Sequence, residues 1–264
     1  MQKERLQHLQ VKGVDLEKKS KHILSLNGYK KVIGGYDMSK KNVIDLFKKF
    51  GLKHDTFTVW NDFLQLAAIS ISNATDYKEE REQQYLKTIK KYKKEEADLF
   101  PKILAEIAIT FEEEGVTDLL GEIFMEMGLG NKWTGQFFTP YHLAELTAEL
   151  TFDPKDIEEK GYIEFNEPCA GGGAMIIAFA EVMRKNGYNP QEDLKVICND
   201  LDIKSVYMTY IQLSLLGIPA AVLHMNTLTL EHWDTFKTPF WKLKGWDLER
   251  VCVEKVMDNG GNEK

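Results

Sequence analysis

Three short apolar runs follow residue 160: "YIEF" (162–165), "LKVICND" (194–200) and "AAVLHMN" (220–226). Between them lie two stretches of helical periodicity, "AMIIAFAEVMRKNG", ending at Gly187, and "IKSVYMTYIQLSLLG" (203–217). A short apolar run bounded by turn residues reads as a buried strand, and a longer one with apolar positions three and four apart reads as a helix. Strands alternating with helices over short links predict an α/β fold around a parallel sheet wound on both faces. Parallel neighbours need a crossover between them, so few other architectures remain open.

The chain before this region reads differently. "DTFTVWNDFLQLAAISISNA" places Phe57, Trp60, Phe63, Leu64, Leu66 and Ala67 at helical spacing, and Gly115 and either Gly128 or Gly130 are plausible helix stops. "YKEEREQQYLKTIKKYKK" has few apolar positions and is expected as an exposed helix. No strand signal precedes residue 160. The expected organisation is an all-helical N-terminal domain, 1–134, followed by a sheet domain, 135–264.

Composition narrows the setting. Hydrophobic residues make up 43% and charged residues 28% of 264 positions, ordinary for a soluble globular chain. No apolar run approaches the ~20 residues of a membrane span, and "MQKERLQHLQ" is no signal peptide. Three scattered cysteines (Cys169, Cys198, Cys252) make neither a disulfide framework nor a zinc pattern, so a reducing cytoplasm and no metal are expected. A net charge of −7 does not favour nucleic acid over the whole molecule. DNA would need a partner or a local basic face; "KTIKKYKK" (87–94) and "SKKNVIDLFKKF" (39–50) are candidates, though solvated lysines are the simpler reading.

The chemistry concentrates at strand ends. "FNEPCAGGGAM" carries three consecutive glycines, Gly171, Gly172 and Gly173, each conformationally costly to order. Bare backbone at the carboxyl end of a strand, opening a helix, suits an anionic ligand group. Asp200 ends the second run, where a carboxylate can accept both hydroxyls of a ribose; Asn226 ends the third and can bond an adenine edge, with Leu201 packing on the ring. Duller roles exist for each: tight packing for the glycines, helix capping by Asp202 beside Asp200, a turn for Asn226, small buried side chains for Cys169 and Cys198. Three polar strand ends in order nevertheless predict a nucleoside cofactor. A nicotinamide dinucleotide would prefer Gly-x-Gly-x-x-Gly, which this turn lacks. Upstream, "GQFFTP" (135–140) supplies Thr139 as an N-cap and Pro140 as a first helical residue. That leaves Gln136, Phe137 and Phe138 without a role.

"GQFFTP" followed by "EPCAGGGAM" closely resembles the N6-adenine DNA methyltransferases of the modification subunit of type I restriction systems. "NDLDIKSVYMTYIQLSLLG" and "HMNTL" look like that family's second and third motifs, and the resemblance runs over roughly residues 55–230. Departures are Glu167 for aspartate, Ala170 and Cys169 exchanged, Gly172 for serine, and Asn226 for aspartate. The resemblance implies a Rossmann-like S-adenosylmethionine-dependent sheet. Gln136, Phe137, Phe138 and Thr139 would hold the methionine end, with Glu167, Pro168, Gly171 and Gly173 around its amino acid group. Asp200, Leu201 and Asn226 would take ribose and adenine.

The family flips its target base from the duplex and holds it with an Asn/Asp-Pro-Pro-Phe/Tyr segment after the fourth strand. Among seven prolines here no two are adjacent, and Asn189-Pro190 precedes the second strand. "KTPFW" (237–241) comes at nearly the right distance but lacks the carboxamide and the second proline; an aromatic packing segment is the simpler reading. Only residues 227–264 follow the third strand, and "DNGGNEK" reads as a solvated terminus. A shortened sheet with an exposed edge is therefore expected, and with it a homodimer or hetero-complex unless the C-terminal segment covers that edge. Two functions stay open. One is an adenine-specific methyltransferase subunit, of mobile-element type, completed by "TPFW" or a partner chain. The other is a non-catalytic module acting by partner binding.

Overall fold

The computed structural model describes residues 38–130 and 138–246. The boundary expected near residue 134, Gln136, Phe137 and Cys252 lie outside the described residues. Six helices come first: α1 (Met38–Lys48), α2 (Thr56–Thr75), α3 (Glu79–Ile89), α4 (Lys94–Ala97), α5 (Leu99–Glu114) and α6 (Leu119–Glu126). Asp55 caps α2 by accepting from Thr58 N at 2.9 Å. Replacing such a cap typically costs about 1 kcal/mol. Gly115 and Gly128, both at positive φ, stop α5 and α6 where the sequence places stops.

The second region is α7 (Tyr141–Thr151), α8 (Lys155–Lys160), β1 (Ile163–Glu167), α9 (Ala174–Lys185), α10 (Pro190–Asp193), β2 (Leu194–Asp200), α11 (Ile203–Leu215), β3 (Ala220–Met225), β4 (His232–Lys237) and α12 (Pro239–Lys244). The sheet order is β1-β2-β3-β4, with the first three strands parallel and β4 antiparallel to β3. The three apolar runs thus become the three parallel strands. The winding differs from expectation, because the order among the described strands never reverses. Both crossover helices therefore share one face: Val196, Cys198, Ala220, Val222 and Phe236 join a single core with α9 and α11. The opposite face packs Ala221 and Leu223 against Trp241, with Ile197, Met225 and Trp246 at its margin.

Helical and sheet regions share the larger core, in which Trp60, Phe63, Ile103, Leu120, Tyr210 and Ile211 are all buried. Each large apolar side chain so buried contributes about 1.5–3 kcal/mol relative to exposure. Helix α11 lies against α2, β2 and β3, so it is buried on nearly every side.

One expected surface helix is instead a tie to the sheet. The stretch from Tyr77 to Lys94 breaks after Ile89, and Arg81 on α3 is buried. Its guanidinium donates to Asp234 (3.1 and 2.8 Å), Ser72 Oγ and the Thr235 carbonyl, and stacks 3.9 Å from the Phe236 ring centroid. Burial alone would raise the Asp234 carboxyl; Lys78 and Arg81 hold it below the usual carboxylate range. Removing one partner of a buried ion pair strands the other charge. Arg81→Met is expected to cost about 3 kcal/mol by urea denaturation; a midpoint within error of wild type would contradict it.

Candidate functional site

Peptide planarity and helix register together shape the turn after β1. Gly171 and Gly173 sit at φ +56° and +96°, a region where a Cβ is strained, so glycine is required at both. Asp200, ending β2, accepts from Gly171 N at 2.8 Å through one carboxylate oxygen and from Asp202 N at 2.8 Å through the other. Thr209 Oγ1 on α11 donates to the Gly171 carbonyl (2.9 Å), and Gln212 Nε2, one turn later, donates to the Gly172 carbonyl (2.8 Å). Both carbonyls are drawn toward α11. In a trans peptide the next N–H points the other way. Gly173 N accordingly closes the turn on the Ala170 carbonyl (2.8 Å), and Gly172 N has no partner among the described residues.

The glycines also admit protein side chains. A Cβ on Gly171 would lie 3.3 Å from Phe138, one on Gly172 2.7 Å from the Met208 methyl, and one on Gly173 3.2 Å from Thr209 Oγ1. Phe138 in turn packs edge-on against Phe124, with ring centroids 5.0 Å apart. The bare faces of the turn are therefore in van der Waals contact with the protein itself, as the tight-packing reading expects.

The remaining candidates gather at the same carboxyl edge. Glu167 ends β1 and accepts from Cys169 N at 3.2 Å. The Pro168 carbonyl is held by Asn199 Nδ2 and Thr227 Oγ1 at 2.9 and 2.6 Å. Leu201 is 61% exposed beside Asp200, free to cover a ring. Asn226 follows β3, but its Oδ1 accepts from Leu228 N (2.9 Å) and Thr229 N (3.2 Å), the turn-closing role. Thr139 is exposed, and α7 starts at Tyr141 with Pro140 rather than Thr139 in the capping position. Cys198 is buried, which pushes its thiol pKa up, whereas Cys169 is exposed and not the buried residue expected. Among the described residues no cluster of potential ligands could hold a metal, and no helix is long and apolar enough to cross a membrane.

The polar set fits a nucleoside in part. A carboxylate offers about four acceptor sites, and Asp200 uses two of them on backbone, leaving capacity for ribose hydroxyls at a half-buried position. "TPFW" does not join the set. Thr238 is buried, donates to the Ile218 carbonyl and accepts from Ala220 N, both at 2.9 Å. Trp241 is fully buried. Because β4 runs antiparallel, its end meets the start of β3, the edge of the sheet opposite Glu167, Asp200 and Asn226. This segment packs the second core and cannot grip a base at the strand-end site.

The reading from sequence missed Asp118, Thr209 and Gln212. Gln212 is fully buried; its amide also donates to Asp118 Oδ1 (2.7 Å), and its oxygen accepts from Leu120 N (2.9 Å). Thr209 and Gln212, three apart in a helix buried from Ser205 to Leu213, were the available signal. Asp118 caps α6 through Gly121 N (3.1 Å), and burial raises its pKa to about 6 against those hydrogen bonds. A folded-state value above the unfolded one means the native protein holds this proton more tightly. Stability is then greatest below the ordinary aspartate range and falls as pH rises toward about 6. Asp118→Asn is expected to flatten that decline, worth on the order of 2 kcal/mol, in urea titrations between pH 4 and 7. An unchanged slope would contradict the assignment.

The fold defines an α/β protein with polar residues gathered at its strand ends, and the family model names its kind. The chain belongs to the N-6 DNA methylase family, whose model matches residues 117–259. No curated protein matches it. Among solved structures it is similar to a protein from Listeria monocytogenes described as a class I S-adenosylmethionine-dependent methyltransferase. That match has 14% identity and a TM-score of 0.43, covering 73% of this chain and 55% of the other. A type I restriction-modification methyltransferase subunit from Streptococcus thermophilus matches at 13% identity and TM-score 0.31, covering 69% and 56%. The chain thus spans little more than half the length of either.

Proposed function

We propose that this chain binds S-adenosylmethionine at the carboxyl ends of β1–β3, as a methyltransferase-like member of the N-6 DNA methylase family. The observation that carries the reading is Asp200, set by β2 against the glycine turn with acceptor capacity left over. Asp200 takes the ribose hydroxyls, and Leu201 covers the adenine. Asn226 reaches an adenine edge through its amide nitrogen, its oxygen being engaged. Glu167 and the Gly172 N–H, which has no partner among the described residues, serve the amino acid group, with Pro168, Gly171 and Gly173 shaping the backbone there. Phe138 and Thr139, with Gln136 and Phe137 before them, serve the methionine end. When bound, the sulfonium supplies an electrophilic methyl group. The sheet region from residue 135 onward carries this site, and the helical region before it buttresses α11.

A second reading is favoured by one observation: "TPFW", weighed for gripping an adenine, lies at the far edge of the sheet with Thr238 and Trp241 buried. On that reading the chain binds the cofactor or a partner without itself transferring the methyl group. DNA is then reached through another chain. Strand β1 has a neighbour on one side only among the described strands, and that edge suits a second copy or a different subunit.

Titration calorimetry with S-adenosylmethionine and its demethylated product tests the first claim. Binding in the micromolar range is expected, with Asp200→Ala at least tenfold weaker; no heat from folded protein at high micromolar ligand removes it. Methyl transfer to unmodified DNA, abolished by Asp200→Ala, would remove the second reading.

A further inference from the structure

Helix α11 is buried nearly all round, with Val206, Tyr210, Ile211 and Leu213 at zero exposure, and yet it carries a fully buried glutamine in its last turn. A buried amide is costly unless every polar atom finds a partner. Gln212 finds them all, and on two separate elements. One amide proton goes to the Gly172 carbonyl and one to Asp118 Oδ1; its oxygen takes Leu120 N. The peptide between Gly172 and Gly173 is thereby held in one plane, the plane that lets Gly173 N close on the Ala170 carbonyl and start α9. Asp118 is itself fixed at the head of α6 by Gly121 N, so the anchor is rigid. An alanine in place of Gly121 would put its Cβ 2.1 Å from Asp118 Oδ2, so the carboxylate packs directly on the bare face of the glycine.

We propose that Gln212 is a positioning residue: bridging Asp118 to the Gly172 carbonyl, it holds the glycine turn in its ligand-ready shape and ties that shape to α6. It touches no ligand itself. The bridge means that the start of α6 and the strand-end site move together. The affinity arm of its test rests on the cofactor reading above; the exchange arm does not.

The test uses the full chain in four forms: wild type, Gln212→Met, Asp118→Asn, and Ile103→Ala, a buried α5 residue remote from the turn that serves as a control for lost stability. Amide exchange is followed in the peptide spanning 168–176. Gln212→Met is expected to raise exchange there at least tenfold over Ile103→Ala, while Asp118→Asn, which keeps an acceptor oxygen, stays near wild type. The dissociation constant for S-adenosylmethionine is expected to rise at least tenfold in Gln212→Met and to hold within threefold in the other two. Exchange at 168–176 equal to that of Ile103→Ala overturns the proposal. So does tight ligand binding by folded Gln212→Met. Raised exchange with no binding even by wild type supports the bridge and removes the cofactor reading instead. Should Gln212→Met fail to fold, Asp118→Ala carries the same exchange test, with a threefold rise expected and no change overturning it.

Discussion

The structure after residue 160 depends on how one helix satisfies a backbone it does not belong to. Thr209 and Gln212 on α11 take the carbonyls of Gly171 and Gly172, and Asp200 takes the Gly171 amide. A glycine triplet has the widest conformational freedom of any tripeptide, so its ordering cost is the largest the sheet has to meet. Three hydrogen bonds from side chains within a single strand-loop-helix unit, Asp200 to Gln212, confine it. The β1–α9 connection therefore takes its shape from β2 and α11.

That arrangement joins the two regions of the molecule. Helix α11 meets the sheet on one side and α2 on the other, and its glutamine crosses to the head of α6. The same polar contacts that fix the turn also cap a helix from the N-terminal region. The helical segment is thus a structural wall of the strand-end site, and Phe138, wedged between Phe124 and the glycines, lies where the two meet.

Much of this was legible before any coordinates. β2 matches its apolar run residue for residue, and β1 and β3 do so within two residues, because continuous β-branched and apolar stretches between turn residues admit little else. β4, "HWDTFK", was not, since a half-exposed edge strand with charges on it carries no such pattern. Arg81 read as one more charge on a solvated helix; its burial depends on Asp234, far along the chain, and a distant partner leaves no local trace. The place of Asp200 at the end of β2 was legible because strand-end position is a sequence property. Gln212 and Asp118 were missed because their meaning lies in a contact between helices. The glycine triplet was read as room for a ligand, and in the structure its bare faces also meet Phe138, Met208 and Thr209.

Arg81 has one more effect. By taking the Thr235 carbonyl while paired to Asp234, it seals the outer margin of β4 with a side chain from α3, and Lys78 reinforces the same corner. The opposite margin, along Ile163–Glu167, carries no such clasp among the described strands. Among the described strands the sheet is therefore a ribbon with a hemmed border and a raw one. A strand added along that open border would lie beside β1, whose carboxyl end leads straight into the glycine turn.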